Sequence, residues 1–322
     1  MSSDIILKVE GLKKYFPISR GLFRSKVGVI KAVDGVDLWI RKGKTLGLVG
    51  ESGCGKSTTS RLILRLIDPD SGKIIFDGKD ITKISQNDLR PIRQKMQIIF
   101  QDPFSSLNPR MSIEDAIGEG LRVIGIRDRS ERRERVRELL NMVGLSPATI
   151  DNYPHQFSGG QRQRIVIARA LSVNPSFIVC DEPVSALDVS IQAQILNLLK
   201  ELQERFSLSY LFISHDLNVV GYMSDEVAVM YRGKIVEYGN SRSVYSNPLH
   251  PYTRLLLSSV PKIGQDYQLQ DRLDSHGRYS NQNGCPFFSR CPISKDICKK
   301  EKIELKEVEA GHKVRCITLK PI

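Results

Sequence analysis

Thr45-Leu46-Gly47-Leu48-Val49-Gly50-Glu51-Ser52-Gly53-Cys54-Gly55-Lys56-Ser57-Thr58 is the stretch on which the reading of this chain turns. Its first five residues are an apolar, strand-like run, its last nine satisfy the spacing G-x-x-x-x-G-K-[ST], and a helical pattern follows through Leu66. Glycines in such a loop let successive backbone N–H groups point at phosphate oxygens, and the start of the next helix adds the positive end of its dipole. Gly50, Ser52, Gly53, Cys54, Gly55, Lys56, Ser57 and Thr58 are therefore expected to cradle a polyphosphate. Lys56 would reach the β- and γ-phosphates, and Ser57 would place its hydroxyl on Mg²⁺. An accidental Gly-rich turn would not combine strand, loop, Lys-Ser pair and helix.

Three further stretches complete a phosphate chemistry. The apolar run 176–180 ends in Asp181-Glu182. A carboxylate after such a strand holds Mg²⁺ in phosphate-loop proteins, which assigns Asp181, and Glu182 is placed to accept a proton from attacking water. An Asp-Glu pair on its own often just begins a surface turn; beside the phosphate loop it carries weight. Phe157-Ser158-Gly159-Gly160-Gln161 opens a helix, with Ser158 as N-cap and two glycines that let backbone approach an anion. One nucleotide needs one such cradle, so a second implies that two chains share each nucleotide. His215 follows strand 210–214 and can contact the γ-phosphate, although a lone histidine at a strand end is usually structural.

The surrounding chain reads as α/β. Strands are expected at 5–9, 32–40, 45–49 and 73–76, with a basic loop at 18–31 that carries Arg20, Arg24 and Lys26. Helices take over at about 108–144, and 127–140 mixes Arg and Glu as a solvated face does. The αβ alternation resumes after Gln161 and closes with a hairpin at 227–236. Residues 264–283 read as a polar linker before a tail that holds four of the six cysteines. Among 322 residues, 40% are hydrophobic and 26% charged, ordinary for a globular protein, so wholesale disorder is excluded. No apolar run reaches the roughly 18 residues that span a bilayer, and the N-terminus is not patterned as a signal peptide. The chain is expected in the cytoplasm, where thiols stay reduced. A net charge of +12 leaves nucleic acid, anionic membrane and phosphorylated ligands open as partners.

At these residues the sequence resembles the ATP-binding subunits of ATP-binding-cassette (ABC) transporters over roughly 5–245. The Walker A loop is Gly50 to Thr58, and the Q-loop glutamine is Gln101. The signature motif is Ser158 to Gln161, with Phe157 where leucine is commoner. Walker B ends at Asp181 with the catalytic glutamate at Glu182, the D-loop is Ser185-Ala186-Leu187-Asp188, and the switch histidine is His215. The resemblance implies an α/β ATPase core with an antiparallel β subdomain and a helical insertion at about 102–165. It implies ATP and Mg²⁺ as ligands, with Ser57, Gln101 and Asp181 on the metal and an aromatic stacked on adenine, for which Phe16 is the better match and adjacent Tyr15 the alternative. Catalysis would fall to Glu182, His215 and Gln101.

Residues 101–110, 247–253 and the tail look like the oligopeptide/dipeptide/nickel importer group. The match points to the second of the two ATPase subunits such permeases carry, the F-type subunit. This implies ATP-driven peptide import at the cytoplasmic membrane face. The implied partners are a homologous ATPase subunit, two transmembrane permease subunits and, indirectly, an extracytoplasmic solute-binding protein, with no nucleic acid. Residues 1–245 would be the ATPase and 246–322 a small C-terminal module. There Cys285, Cys291, Cys298 and Cys316 stand at C-x5-C-x6-C-x17-C, amid nine Lys/Arg and five Asp/Glu. Grouped thiols in a reducing compartment suggest metal, and the C-x2-C knuckles of a zinc ribbon are absent. The resemblance implies a [4Fe–4S] cluster; four reduced thiols in a structural tail are the alternative.

Overall fold

Apolar alternation broken by turn residues divides the chain into strands β1 (Ile5–Arg20), β2 (Ser25–Arg41), β3 (Thr45–Val49), β4 (Ser71–Phe76), β5 (Lys79–Asp80), β6 (Met96–Ile99), β7 (Phe177–Asp181), β8 (Ser209–Ile213), β9 (Glu226–Tyr231), β10 (Lys234–Asn240), β11 (Lys306–Glu309) and β12 (His312–Val314). The computed structural model describes residues 4–20, 25–259 and 284–317. One sheet is antiparallel, in the order β2-β1-β4-β5; the other runs β11-β12-β10-β9-β3-β8-β7-β6. Within the larger sheet β9, β3, β8, β7 and β6 are mutually parallel. Every residue of β3, β7 and β8 is buried, as continuous apolar runs covered on both faces require.

Side-chain alternation sends these strands into two cores. Phe177, Val179, Leu211 and Ile213 face β1, β2 and the helix Lys56–Ile63. Ile178, Cys180, Tyr210 and Phe212 face the opposite way, against helices Ile113–Val123, Arg129–Met142 and Gly159–Leu171. Because β3, β7 and β8 are adjacent and parallel, the loops that leave their carboxyl ends share one rim, where open α/β sheets bind ligands.

The helical insertion forms as its signals dictate. Ser112 and Asp128 cap the helices Ile113–Val123 and Arg129–Met142 by accepting the N–H groups of Asp115 and Glu131. The mixed charges of the second helix pair outward, Arg137 with Glu134 and Arg133 with Asp151, while Val136, Leu139 and Leu140 turn inward. Residues 18–20 and 25–31 depart from the expected basic loop and are strand. β1 and β2 pair antiparallel through 18–20 and 25–31, with Phe16 opposite Ile30 and Ile18 opposite Gly28. Arg24 lies outside the described residues, as does the expected linker at 264–283.

The tail is not a free-standing appendage. β12 pairs antiparallel with β10, Glu237 opposite Val314 and Tyr238 opposite Lys313, so 306–314 extends the main sheet. Three buried groups lock this junction onto Glu237, which is itself fully buried. Its Oε1 accepts the Leu249 N–H at 2.8 Å and faces His312 Nε2 at 2.8 Å, and its Oε2 accepts the His250 N–H at 2.8 Å.

His250 caps the helix Pro251–Ser258: its Nδ1 accepts the Tyr252 N–H at 3.1 Å, which requires a neutral ring. Burial holds this imidazole far below its ordinary 6.5, at about 4, although nearby Glu237 pulls it upward. The unfolded chain therefore binds the extra proton between these values. Stability from His250 is complete above about pH 6.5 and is lost as the pH falls toward 4, on the order of 3 kcal/mol in all. Thermal melts across that window should fall steeply, and His250→Asn should flatten the fall; an unaltered slope would clear His250 of the effect.

Candidate active site

The phosphate loop leaves β3 with Gly50, Gly53 and Gly55 at φ 153°, 76° and 114°. A Cβ on Gly55 would sit 2.1 Å from the Ala32 carbonyl oxygen, and one on Gly50 2.2 Å from that of Met230. Close approach to β2 and β9 thus demands glycine at both positions, independently of any ligand. Lys56 folds back over the loop, donating to the carbonyls of Gly50 at 2.6 Å and Glu51 at 3.0 Å. Cys54 and Cys180 are buried, and burial pushes both thiols up, in keeping with packing residues.

Across the rim, the Ser57 hydroxyl donates to Asp181 Oδ1 at 3.2 Å and the Ser60 hydroxyl to Oδ2 at 3.5 Å. Burial raises the Asp181 carboxyl above its usual range, and the Ser57 bond opposes that. Hard oxygen donors side by side at the end of β7 fit Mg²⁺, which when bound would supply positive charge to the phosphate oxygens. Gln101, expected as a further ligand through its amide oxygen or otherwise, donates from Nε2 to Glu182 Oε2 at 3.1 Å. His215 Nδ1 stands 3.1 Å from the same oxygen. Glu182 adopts φ 53°, rare for a non-glycine residue, and its N–H donates to the Ile213 carbonyl at 2.9 Å, which ties the end of β7 to β8. Such strained backbone concentrates at functional sites.

These groups line one cavity of about 1080 Å³: Ser52 to Thr58, Gln101, Glu182 and His215, with Phe16 on its wall. Of the two aromatic alternatives, Phe16 faces the cavity. The Tyr15 hydroxyl donates to Asp34 Oδ1 at 2.5 Å, and burial and that bond push the phenol up to about 12. Val29, Ile30, Lys31, Arg232 and Gly233 also line the cavity and were not singled out in the sequence. Their signal is a pair of exposed apolar residues in a strand, which becomes legible only when the β1–β2 pair is seen to fold toward the loop.

Ser158 caps the helix Gly159–Leu171 with a reciprocal box: the Gln161 N–H donates to Ser158 Oγ at 3.4 Å and the Ser158 N–H to Gln161 Oε1 at 3.0 Å. Ser158, Gly159, Gly160 and Gln161 do not line the cavity of their own phosphate loop. Beyond Gln101, the chain enters a short helix, Pro103–Ser106, that exposes Phe104 under the Arg162 guanidinium at 3.9 Å.

The tail cysteines come together without forming a metal site. Cys285 lies near enough to Cys291, Cys298 and Cys316 for the charge on each to act on it, and its N–H donates to the Cys298 carbonyl at 2.7 Å. Among the described residues, however, no three His, Cys, Asp or Glu side chains are placed to hold a metal ion. Burial pushes the Cys285 thiol up to about 11 and raises that of Cys291, so both keep their protons at neutral pH. This arrangement of thiols gives the expected [4Fe–4S] cluster no support.

A phosphate loop after a central parallel strand, Asp181-Glu182 ending the strand two places away, and Gln101 and His215 turned onto Glu182 define an ATP-binding cassette. Residues 33–185 match the family described as ABC transporter, and 236–298 match the oligopeptide/dipeptide transporter C-terminal region. The oligopeptide transport ATP-binding protein AppF of Bacillus subtilis (strain 168) is 52% identical over 98% of both chains. OppF of the same organism is 48% identical over 98% of this chain and 97% of its own. Among solved structures, a dimeric post-hydrolysis state of the ATP-binding cassette MJ0796 bound to ADP and Pi superposes with TM-score 0.66 at 30% identity, covering 73% of this chain and 99% of that one. The chain belongs to the ATP-binding subunits of ABC transporters, in the branch that carries the oligopeptide/dipeptide C-terminal region. It is an ATPase cassette, and no described helix is long and apolar enough to cross a membrane.

Proposed function

We propose that this chain is the ATP-hydrolysing subunit of a peptide importer, working at the cytoplasmic membrane face as a dimer with a homologous ATPase. The observation that carries the reading is the convergence of Gln101 and His215 on one Glu182 oxygen beside the phosphate loop. ATP lies along that loop, with Lys56 exchanging carbonyl partners for phosphate oxygens and adenine against Phe16. Water held near Glu182 attacks the γ-phosphorus: the new O–P bond forms, the bond to the ADP oxygen breaks, and Glu182 takes the proton. Gln101 and His215 keep Glu182 aimed. Ser158 to Gln161 of the partner closes over the triphosphate, which is supported by their absence from the lining of this chain's own cavity. Opening and closing of the pair drives the permease subunits, which rest on 101–111 beside exposed Phe104.

The test is anaerobic affinity purification from membranes. Two hydrophobic membrane proteins and a second ATPase should co-purify, and peptide should stimulate hydrolysis through the solute-binding protein. Nucleic acid that binds salt-sensitively and stimulates the ATPase would sink the importer reading. The same preparation addresses the tail. A [4Fe–4S] cluster is supported only by four cysteines meeting in one folded segment, and it needs those thiols to lose protons and draw together on loading. A colourless, iron-free but folded protein ends that proposal.

A further inference from the structure

Glu51, the second residue of the phosphate loop, has every polar group engaged, and two of its partners come from beyond the ATPase motifs. Its carbonyl takes the Lys56 ammonium at 3.0 Å. Its N–H donates to the hydroxyl of Tyr252, fully buried in the helix Pro251–Ser258, at 2.8 Å. Its carboxylate receives a two-pronged grip from Arg290 of the tail, Nη1 to Oε2 at 3.0 Å and Nη2 to Oε1 at 2.9 Å. Arg290 is held for this task. Its guanidinium packs 5.9 Å from the Tyr231 ring and 5.6 Å from that of Phe287, and its side chain is only 11% exposed. Phe287 fills the angle between Tyr231 and Tyr252, with ring centroids 5.3 and 5.4 Å away.

The electrostatics give the contact a purpose. A phosphate cradle works by presenting positive charge and N–H groups, and a carboxylate within it opposes a triphosphate. Two parallel charge-assisted bonds both neutralise Glu51 and fix where its side chain lies. We infer that Arg290 and Tyr252 are positioning residues for ATP binding: the tail holds Glu51 away from the phosphates and sets the loop in its binding shape. The tail thereby acts on the nucleotide site directly, through the residue that precedes Cys291, and needs no metal to do so.

This rests on the reading that the loop binds ATP, which titration of the parent protein with a fluorescent ATP analogue checks first. Arg290→Gln is then expected to weaken nucleotide affinity and raise the KM for ATP about tenfold, with kcat changed less than twofold because Glu182 is untouched. Adding Glu51→Gln to Arg290→Gln removes the stranded charge and should bring KM back to within about threefold of the parent. Tyr252→Phe, which keeps the ring and loses the acceptor, should raise KM about threefold. Unchanged affinity in Arg290→Gln, while the parent binds ATP, overturns the inference and leaves the ATP reading intact. So does a tenfold loss that Glu51→Gln fails to rescue, since a merely misfolded tail would not respond to removal of a loop carboxylate.

Discussion

Glu182→Gln should leave ATP binding close to that of the parent and slow steady-state hydrolysis by about 10²–10⁴-fold, the usual worth of a general base. The substitution is nearly isosteric. Gln101 Nε2 can still donate to an amide oxygen where it now meets Glu182 Oε2 at 3.1 Å, so the trio keeps its shape and loses only its proton acceptor. The effect should therefore fall on kcat, with Kd for ATP within about threefold of the starting value. Phosphate release measured beside nucleotide binding separates the two. Hydrolysis at the parent rate would take Glu182 out of its role, and a matching loss of ATP binding would make the residue structural.

Glu237→Ala should cost about 3–5 kcal/mol of stability, because one buried carboxylate serves three donors. Truncation leaves the N–H groups of Leu249 and His250 and the imidazole of His312 buried with no acceptor, in a junction too tightly packed for easy repair. The loss should show as a fall of about 6–10 °C in thermal midpoint. It should also show as faster proteolysis of the 284–317 segment, which β12 and His312 hold to β10. Glu237→Gln keeps one acceptor oxygen and should fall between. A midpoint within a degree of the parent would mean that the tail is held by its aromatic contacts alone. If the Glu51–Arg290 contact sets the loop, Glu237→Ala should also raise the KM for ATP.

Most of the ATPase was legible because its chemistry is local in sequence. The phosphate loop, Asp181-Glu182 and the Ser158 cap are each a short run whose backbone geometry and function follow from adjacent residues, and the structure places all of them at element ends as expected. The strand Met96–Ile99 escaped notice because four residues carry too little periodicity, and the strand extensions at 18–20 and 25–31 because their basic residues suggested a loop. Phe16 was the better match in the sequence, and the fold adds that it lines the cavity while Asp34, eighteen residues on, claims the Tyr15 hydroxyl.

The tail shows the division most clearly. Four cysteines in a reducing context invited a metal, yet spacing along a chain does not set the distance between thiols, and the fold leaves them near one another without a metal-holding arrangement. Conversely, nothing in the sequence singled out Glu51, Glu237 or Arg290. Their meaning lies in pairings across 239 positions for Arg290 and Glu51, and 75 for His312 and Glu237. By itself the sequence determined the ATPase core, its nucleotide chemistry and its order of motifs, because backbone N–H cradles, caps and strand ends are built from neighbours. Only the tertiary structure decided that the tail joins the main sheet and grips the phosphate loop, because a buried carboxylate takes whichever distant donors the packing delivers to it.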